Sequence, residues 1–426
     1  MIDVSLAPFL VPAVFLFLLL AGAPIAVVLG FTGLSGLLLF GDPVRIASTA
    51  VGRSISQAGL LAIPYYVLAG VLLEKSGIAR ALLRFFMALI GHFRGGIVVM
   101  TGGTSIVFGG ISGSGPADVA ALSLVFVPPM EERGYSRAFG AALCAAGGSL
   151  GLILPPSAGY ILYALITQRA SIVDLFIGGI VPGLLMATGF VVAGLIAASR
   201  SDIRKDPRST MREIVAAAPG ALAGIGAPAL ILGGIYGGIF TVTEAAGIAV
   251  LYAAIVGGAV FRELKWPDLV EIAIRTGVAT GVIFFIVAAA SIFARLVSIS
   301  GWAVAFSNWL SGFATTPLAF VLMAALIVFI CGFFIDGISM YFILVPLMLP
   351  GIDAFGIDPV YFGIVVTMAV AIGLITPPLG LDLYAAAGVI DVSIESMARA
   401  AIPLVIGAMI ATLLVIFFPV LTQVFL

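Results

Sequence analysis

The sequence predicts an all-α polytopic membrane protein built from two inverted repeats, each with a re-entrant helical hairpin and a broken helix. Three observations carry this. The chain of 426 residues is 62% hydrophobic and only 9% charged, whereas a soluble domain is about a quarter charged. Its apolar runs lack strand alternation, and many reach the ~20 residues a spanning helix needs. One motif also occurs twice: Gly151-Leu152-Ile153-Leu154-Pro155-Pro156 returns as Gly373-Leu374-Ile375-Thr376-Pro377-Pro378.

A proline inside a helix donates no N–H and clashes with the carbonyl four residues back. The carbonyls of Gly151 and Leu152, and of Gly373 and Leu374, are therefore expected to leave the helical ladder. In lipid such groups need protein, water or an ion. Either copy alone reads equally well as a packing kink. A matched pair of broken helices in two halves of a membrane chain points instead to a binding site.

Residues 6–22 and 24–40 form two apolar segments divided by Gly22-Ala23-Pro24. The N-terminus has no basic region, with Asp3 its only charge, and reads as a retained helix. A polar loop is expected over 41–53, carrying Asp42, Arg45 and Arg53, before a span at 54–74. The stretch 78–93 is amphipathic, with Arg80, Arg84 and Arg94 near its polar side, and suits the membrane interface. The run 97–130 breaks at Ser112-Gly113-Ser114-Gly115-Pro116 into arms of about 14 residues. Those are too short to span, so a hairpin is predicted with Glu131, Glu132, Arg133 and Arg137 at its base. The broken helix covers 138–170 and a further span 174–198. The linker 199–214 holds Arg200, Arg204, Lys205, Arg208 and Arg212, which places it in the cytoplasm.

The repeats are 1–198 and 215–426. The second carries spans at 218–239, 240–261 and 269–298, an arm at 302–314, and a hairpin over 318–350 that breaks at Ile335-Asp336-Gly337-Ile338-Ser339. A broken helix at 358–390 and a last span at 398–424 complete it. Pro155 and Pro377, Pro128 and Pro350, Gly134 and Gly356, and Gly115 and Gly337 are each 222 residues apart. Five crossings per half, with hairpins contributing none, invert the second half relative to the first. Charge agrees: the first hairpin's base carries Arg94, Arg133 and Arg137 and opens inward, while the second's carries Asp353 and Asp358 and opens outward. The two tips are expected to meet near the midplane.

The first tip offers the hydroxyls of Ser112 and Ser114, and the second offers Asp336, Gly337 and Ser339. Such oxygen donors suit Na⁺, and a softer metal would need Cys or His. Cys144 and Cys331 lack metal spacing and read as packing, and His92 is the only histidine. No cofactor is expected, and no metal beyond Na⁺ as coupling ion. Half-helix N-termini at the tips suit an anionic substrate. Ser and Gly also make ordinary turns, but a bare turn at mid-membrane depth is costly. Asp118 either supports the site or caps the second hairpin arm, with capping preferred. Glu244 and Asp382 are further candidate caps. Arg295 either clamps a carboxylate or snorkels to the outer interface. Net charge near zero argues against nucleic acid.

These motifs match a family. Gly110-Ile111-Ser112-Gly113-Ser114, Ala117-Asp118-Val119-Ala120-Ala121, Ile153-Leu154-Pro155-Pro156-Ser157, Thr243-Glu244-Ala245-Ala246 and Gly373-Leu374-Ile375-Thr376-Pro377-Pro378-Leu379-Gly380-Leu381 resemble the large membrane subunit of TRAP transporters, the DctM type. The likeness covers essentially the whole chain. It implies a sodium-driven elevator-type importer of an organic acid, such as a dicarboxylate or the sugar acid sialic acid, in the inner membrane of a bacterium or archaeon. It also implies a separate small membrane subunit, of DctQ type, and a periplasmic substrate-binding protein. The small subunit is expected to be a separate chain, because this one opens directly on the first repeat. The resemblance places sodium at Ser112, Ser114, Gly115, Gly151, Leu154 and Pro155 in one half, and at Gly337, Gly373, Thr376 and Pro377 in the other. Substrate contacts are expected from Ser114, Ser157, Asp336, Ser339 and Arg295. Two departures stand out. Gly380-Leu381-Asp382 replaces the family's frequent Gly-Leu-Asn, and Gly115-Pro116 stands where small polar or aliphatic residues are usual.

Other classes fit less well. Gly147-Gly148-Ser149-Leu150-Gly151 matches the G-x-S-x-G elbow, but that elbow needs a strand–turn–helix and a histidine base. A channel needs no inverted pair of broken helices. A partner-independent sodium/carboxylate or anion carrier of related fold is the main alternative.

Overall fold

The computed structural model describes residues 7–113, 115–199, 203–204, 207–378 and 380–426, and among them every regular element is helical. The first half opens with α1 (Ala7–Leu20), α2 (Ile25–Leu39), α3 (Val44–Ile55), α4 (Ala62–Lys75) and α5 (Ile78–Ile90). Its hairpin is α6 (Gly96–Ser112) and α7 (Gly115–Glu132), its broken helix is α8 (Arg137–Ser149) and α9 (Ala158–Thr167), and α10 (Ile172–Ala198) closes it. The second half opens with α11 (Met211–Tyr236), α12 (Val242–Ile255), α13 (Trp266–Ser300) and α14 (Trp302–Phe313). Its hairpin is α15 (Pro317–Cys331) and α16 (Gly337–Phe355), its broken helix is α17 (Pro359–Leu374) and α18 (Leu381–Val389), and α19 (Ile394–Phe417) ends it. Among the described residues seven helices are long and apolar enough to cross a membrane, or eight with the pair α14–α15, which bends by 116°. This is a multi-pass membrane protein.

The repeat is visible in the helix starts. Gly115 and Gly337 open α7 and α16, and Ile172 and Ile394 open α10 and α19, each pair 222 residues apart. The caps repeat too. Ser171 and Ser393 accept first-turn N–H groups, as do Ser136 and Asp358. Such caps satisfy donors that a helix start otherwise leaves open.

The inversion shows at the hairpin bases. At the first base, the N–H of Arg204 in the linker donates to the Arg133 carbonyl at 3.1 Å. At the second base, Asp353 pairs with Arg169, just ahead of α10. The linker follows the other end of α10. The two bases therefore lie at opposite ends of this 27-residue helix, ~40 Å apart at ~1.5 Å per residue.

One element departs from expectation. Residues 41–53 contain no long polar loop, because α3 occupies most of them. Ile46, Ala47, Ala50, Val51 and Ser54 share a helical face that packs on α13, with Ala47 buried. Arg45, Ser48, Thr49 and Arg53 take the exposed face, where both hydroxyls bond carbonyls three residues back. The long helix α13 begins 222 residues after α3, so one helix in the second half answers to α3 and α4 in the first.

Packing gathers most helices into two groups, which also meet where α13 packs on α16 and where α4 and α5 pack on α6. In one, α2, α3 and α4 lie along α13, α12 lies on α4, and α11 on α5. Arg275 grips Glu74 through two hydrogen bonds of 3.1 and 2.9 Å, Lys75 pairs with Glu271, and Arg80 with Glu263. In the other, α7 lies on α8, α15 on α17, α16 on α9, α18 on α7 and α8, and α10 on α19. Tyr160, Tyr163, Tyr341, Phe126, Phe320 and Phe362 are fully buried there. Lipid supplies no hydrophobic drive between helices, so close approach over small residues holds them. At the α10–α19 crossing a Cβ on Gly189 would fall 2.6 Å from the Gly407 carbonyl oxygen.

Candidate functional site

Each hairpin lies backbone against backbone on the break of its own half. A Cβ on Gly109 would fall 3.0 Å from the Gly151 nitrogen, and one on Gly113 would fall 3.1 Å from the Pro156 carbonyl oxygen. Gly113 adopts φ +58°, the left-handed region that glycine enters without strain. In the second half a Cβ on Gly332 would fall 2.7 Å from the Gly373 Cα. The peptide bonds Pro155–Pro156 and Pro377–Pro378 are both cis.

The breaks use some of their released carbonyls internally. Ser157 caps α9 by accepting from the Tyr160 N–H at 3.3 Å, and its hydroxyl donates to the Leu152 carbonyl. The Gly373 carbonyl accepts the Thr376 N–H at 3.1 Å, while the Thr376 hydroxyl donates to the Ile372 carbonyl at 2.6 Å. A carbonyl oxygen has a second lone pair, so these groups keep capacity for an ion.

Both tips and both breaks converge on one cavity of about 150 Å³. Gly113, Gly115, Asp336 and Gly337 line it from the tips, Leu152, Ala158 and Gly159 from the first break, and Leu374 and Leu381 from the second. Ile63 and Val67 of α4 and Ile283 of α13 form the facing wall. A larger cavity of about 630 Å³ lies on the side of the Arg169–Asp353 pair. Arg53, Gln57, Gln168, Arg169 and Ser291 line it, and it shares Leu162 with the tip cavity.

Of the residues singled out from sequence, Gly115, Asp336 and Gly337 line the tip cavity. Gly151, Leu154, Pro155, Gly373, Thr376 and Pro377 sit in the breaks behind it. Ser114 lies outside the described residues, as does the side chain of Ser112. Asp336 caps α16 by accepting the Ser339 N–H at 3.1 Å, and Ser339 is buried and donates its hydroxyl to the same carboxylate. Arg295 stands apart from the cavity and pairs with Asp42 at 3.2 Å. Glu244 completes a capping box with Thr241. Asp118 is buried in the first turn of α7. Asp382 makes no cap, because Gly380 holds that position with no side-chain bond. The wall residues Ile63, Val67 and Ile283 carried no sequence signal, being apolar residues among many. Tyr341, which donates to Thr367 at 2.9 Å and faces Gly159, was equally silent.

Residues 13–421 match the family described as Tripartite ATP-independent periplasmic transporter, DctM component. The chain belongs to that family. Among curated relatives of this DctM-family chain, the Isethionate TRAP transporter permease protein DctMQ of Oleidesulfovibrio alaskensis is 35% identical over 406 residues, covering 94% of this chain and 63% of that protein. The C4-dicarboxylate TRAP transporter large permease protein DctM of Pseudomonas aeruginosa is 35% identical over 392 residues, 92% of each chain. The Sialic acid TRAP transporter large permease protein SiaM of Vibrio cholerae is 31% identical over 406 residues, 95% of each. Among solved structures, the Alcanivorax borkumensis YdaH transporter aligns with a TM-score of 0.59 at 17% identity, over 88% of both chains. At that identity the likeness concerns the fold alone.

Proposed function

We propose that this chain is the transmembrane large subunit of a sodium-driven, binding-protein-dependent importer of an organic acid, working by an elevator movement in the inner membrane of a bacterium or archaeon. A small membrane subunit and a periplasmic substrate-binding protein are its partners. The observation that carries this reading is the convergence of both tips and both breaks on one cavity facing α4 and α13. Asp336 and Tyr341 bring oxygen atoms to an otherwise apolar lining, the break carbonyls lie behind it, and hard monovalent cations take oxygen ligands. The relatives' names cite a C4-dicarboxylate, sialic acid and isethionate, which are anionic near neutral pH, and also ectoine, a zwitterion that carries a carboxylate. The helix starts at Gly115 and Gly337 bring positive dipole ends to the same place. Residues 97–170 and 318–390 form the moving unit, and 24–74 and 240–298 the fixed one.

Proteoliposomes holding both membrane subunits, with purified binding protein outside, test the reading. Uptake of an organic acid should need Na⁺ and rise with an inside-negative potential, since each net charge moved gains ~2.3 kcal/mol per 100 mV. Ser112→Ala and Thr376→Ala should each raise the Na⁺ concentration needed. Full uptake driven by a pH gradient in choline medium overturns sodium coupling.

A further inference from the structure

The tip cavity is small, and its two sides differ in polarity. Its volume is about 150 Å³, and an apolar cavity of ~150 Å³ takes a ligand the size of benzene, about six non-hydrogen atoms. Among the described residues, every side chain on its lining is apolar except those of Asp336 and Tyr341. Both of these are already engaged. The Asp336 carboxylate accepts the N–H and the hydroxyl of Ser339, and its charge matches the start of α16, which it caps. The Tyr341 hydroxyl donates to Thr367 at 2.9 Å.

One side of the cavity is made of helix starts. The helices α7, α9, α16 and α18 all begin there, with Gly115, Ala158, Gly337 and Leu381 on the lining. The first N–H groups of a helix lack intrahelical partners, and its start favours an anion. The other side is Ile63 and Val67 of α4 and Ile283 of α13. That wall has no side-chain donor or acceptor.

The helix starts belong to the unit proposed to move, and the wall to the unit proposed to stay. An alkyl group sliding along the wall breaks no hydrogen bond. A hydroxyl, an ammonium or a second carboxylate turned to the wall loses its water without gaining a partner. A second carboxylate turned the other way meets the negative charge of Asp336. A longer molecule reaches past Leu162 into the larger cavity, between Ser291 of α13 and Phe342 of α16. There it spans two surfaces that slide past each other.

We propose that the cargo is a short aliphatic monocarboxylate, the size of butyrate or 2-methylpropanoate. Its carboxylate lies toward the helix starts and its alkyl body against Ile63, Val67 and Ile283. Dicarboxylates, amino acids and polyhydroxylated sugar acids fit the site poorly. This inference rests on the reading above of the cavity as the cargo site of an organic-acid importer.

Thermal unfolding of the purified full-length chain in detergent tests it without the selectivity of a binding protein. The probes are butyrate, 2-methylpropanoate, hexanoate, 2-aminobutyrate, succinate, gluconate and N-acetylneuraminate, all at matched Na⁺. Butyrate and 2-methylpropanoate should stabilise the chain at concentrations at least tenfold lower than the others. Ile283→Ala should move the preference from butyrate toward hexanoate at least tenfold, since one methylene in an apolar pocket is worth ~10–200-fold. Ile283→Phe should abolish stabilisation by butyrate. Val67→Ala and Val67→Phe give the same two readouts if the Ile283 variants do not fold. Better stabilisation by succinate, 2-aminobutyrate, gluconate or N-acetylneuraminate overturns the substrate class and leaves the importer reading standing. Stabilisation by butyrate that none of these variants alters overturns the site. A chain that none of the probes stabilises overturns the reading of the cavity as an organic-acid site.

Discussion

Gly332 and Gly373 touch through bare backbone: a Cβ added to either would fall 2.7 Å from the Cα of the other. No side chain can rotate away to relieve such a contact. Gly373→Ala should therefore destabilise the chain by ~1–3 kcal/mol, the range for overpacking. Gly247→Ala is the control, because a Cβ there meets nothing within 4 Å. It should be neutral or stabilising by up to ~1 kcal/mol, since alanine is the better helix former. Unfolding of the purified variants in detergent separates the two outcomes.

Orientation can be read by labelling. Ser209 lies in the basic linker and Ala354 at the exposed base of the second hairpin. With Cys144 and Cys331 replaced, Ala354→Cys should react with an impermeant maleimide from outside intact cells. Ser209→Cys should react only after the cells are opened. The reverse pattern turns the protein over in the membrane.

The elevator division predicts a contrast between two crosslinks that share one end. Leu162, Ser291 and Phe342 all line the larger cavity, on α9, α13 and α16. In the same cysteine-free background, bridging Ser291→Cys to Phe342→Cys joins the fixed unit to the moving one and should stop uptake. Bridging Leu162→Cys to Phe342→Cys stays within the moving unit and should leave most of it. Equal loss, or equal survival, of uptake in the two calls for a fixed-site mechanism.

The ion pairs should differ sharply in worth. Glu74 is 18% exposed and accepts both hydrogen bonds from Arg275, whereas Arg399 and Glu395 are 76% and 78% exposed. Arg275→Ala should cost ~1.5–3 kcal/mol, as hydrogen bonds to charged groups do. Arg399→Ala should cost less than ~1 kcal/mol. Denaturation of each variant in detergent gives both values.

The frame of this fold was legible because its breaks are covalent facts. Proline removes a donor wherever it stands, so Pro155 and Pro377 announce interruptions without reference to neighbours. Glycine and serine marked the first tip, and Asp336 and Gly337 the second, for a similarly local reason. The segment 41–53 was misread because its charges are loud and its apolar face, centred on Ala47, gains meaning only against α13. Arg295 shows the same limit. Its partner Asp42 is 253 residues away in the chain, and nothing local to Arg295 names it. Asp382 resembles a cap because a carboxylate near a helix start commonly is one. Its carboxylate oxygens are buried without a hydrogen-bond partner, a state that depends on the approach of α7, which belongs to the other repeat.

The glycine joints between hairpins and breaks also bear on how such a chain can evolve. At most contacts a bulkier residue on one side can be accommodated by a smaller one opposite. Gly332 and Gly373 are both already the smallest residue available, so neither can yield to the other. Gly109 faces the backbone nitrogen of Gly151 under the same constraint. These positions are closed to stepwise change. The cavity walls at Ile63, Val67 and Ile283 are ordinary apolar side chains, open to substitution one at a time. Under the proposed function, substitutions on α4 and α13 reshape the cavity while the joints stay fixed.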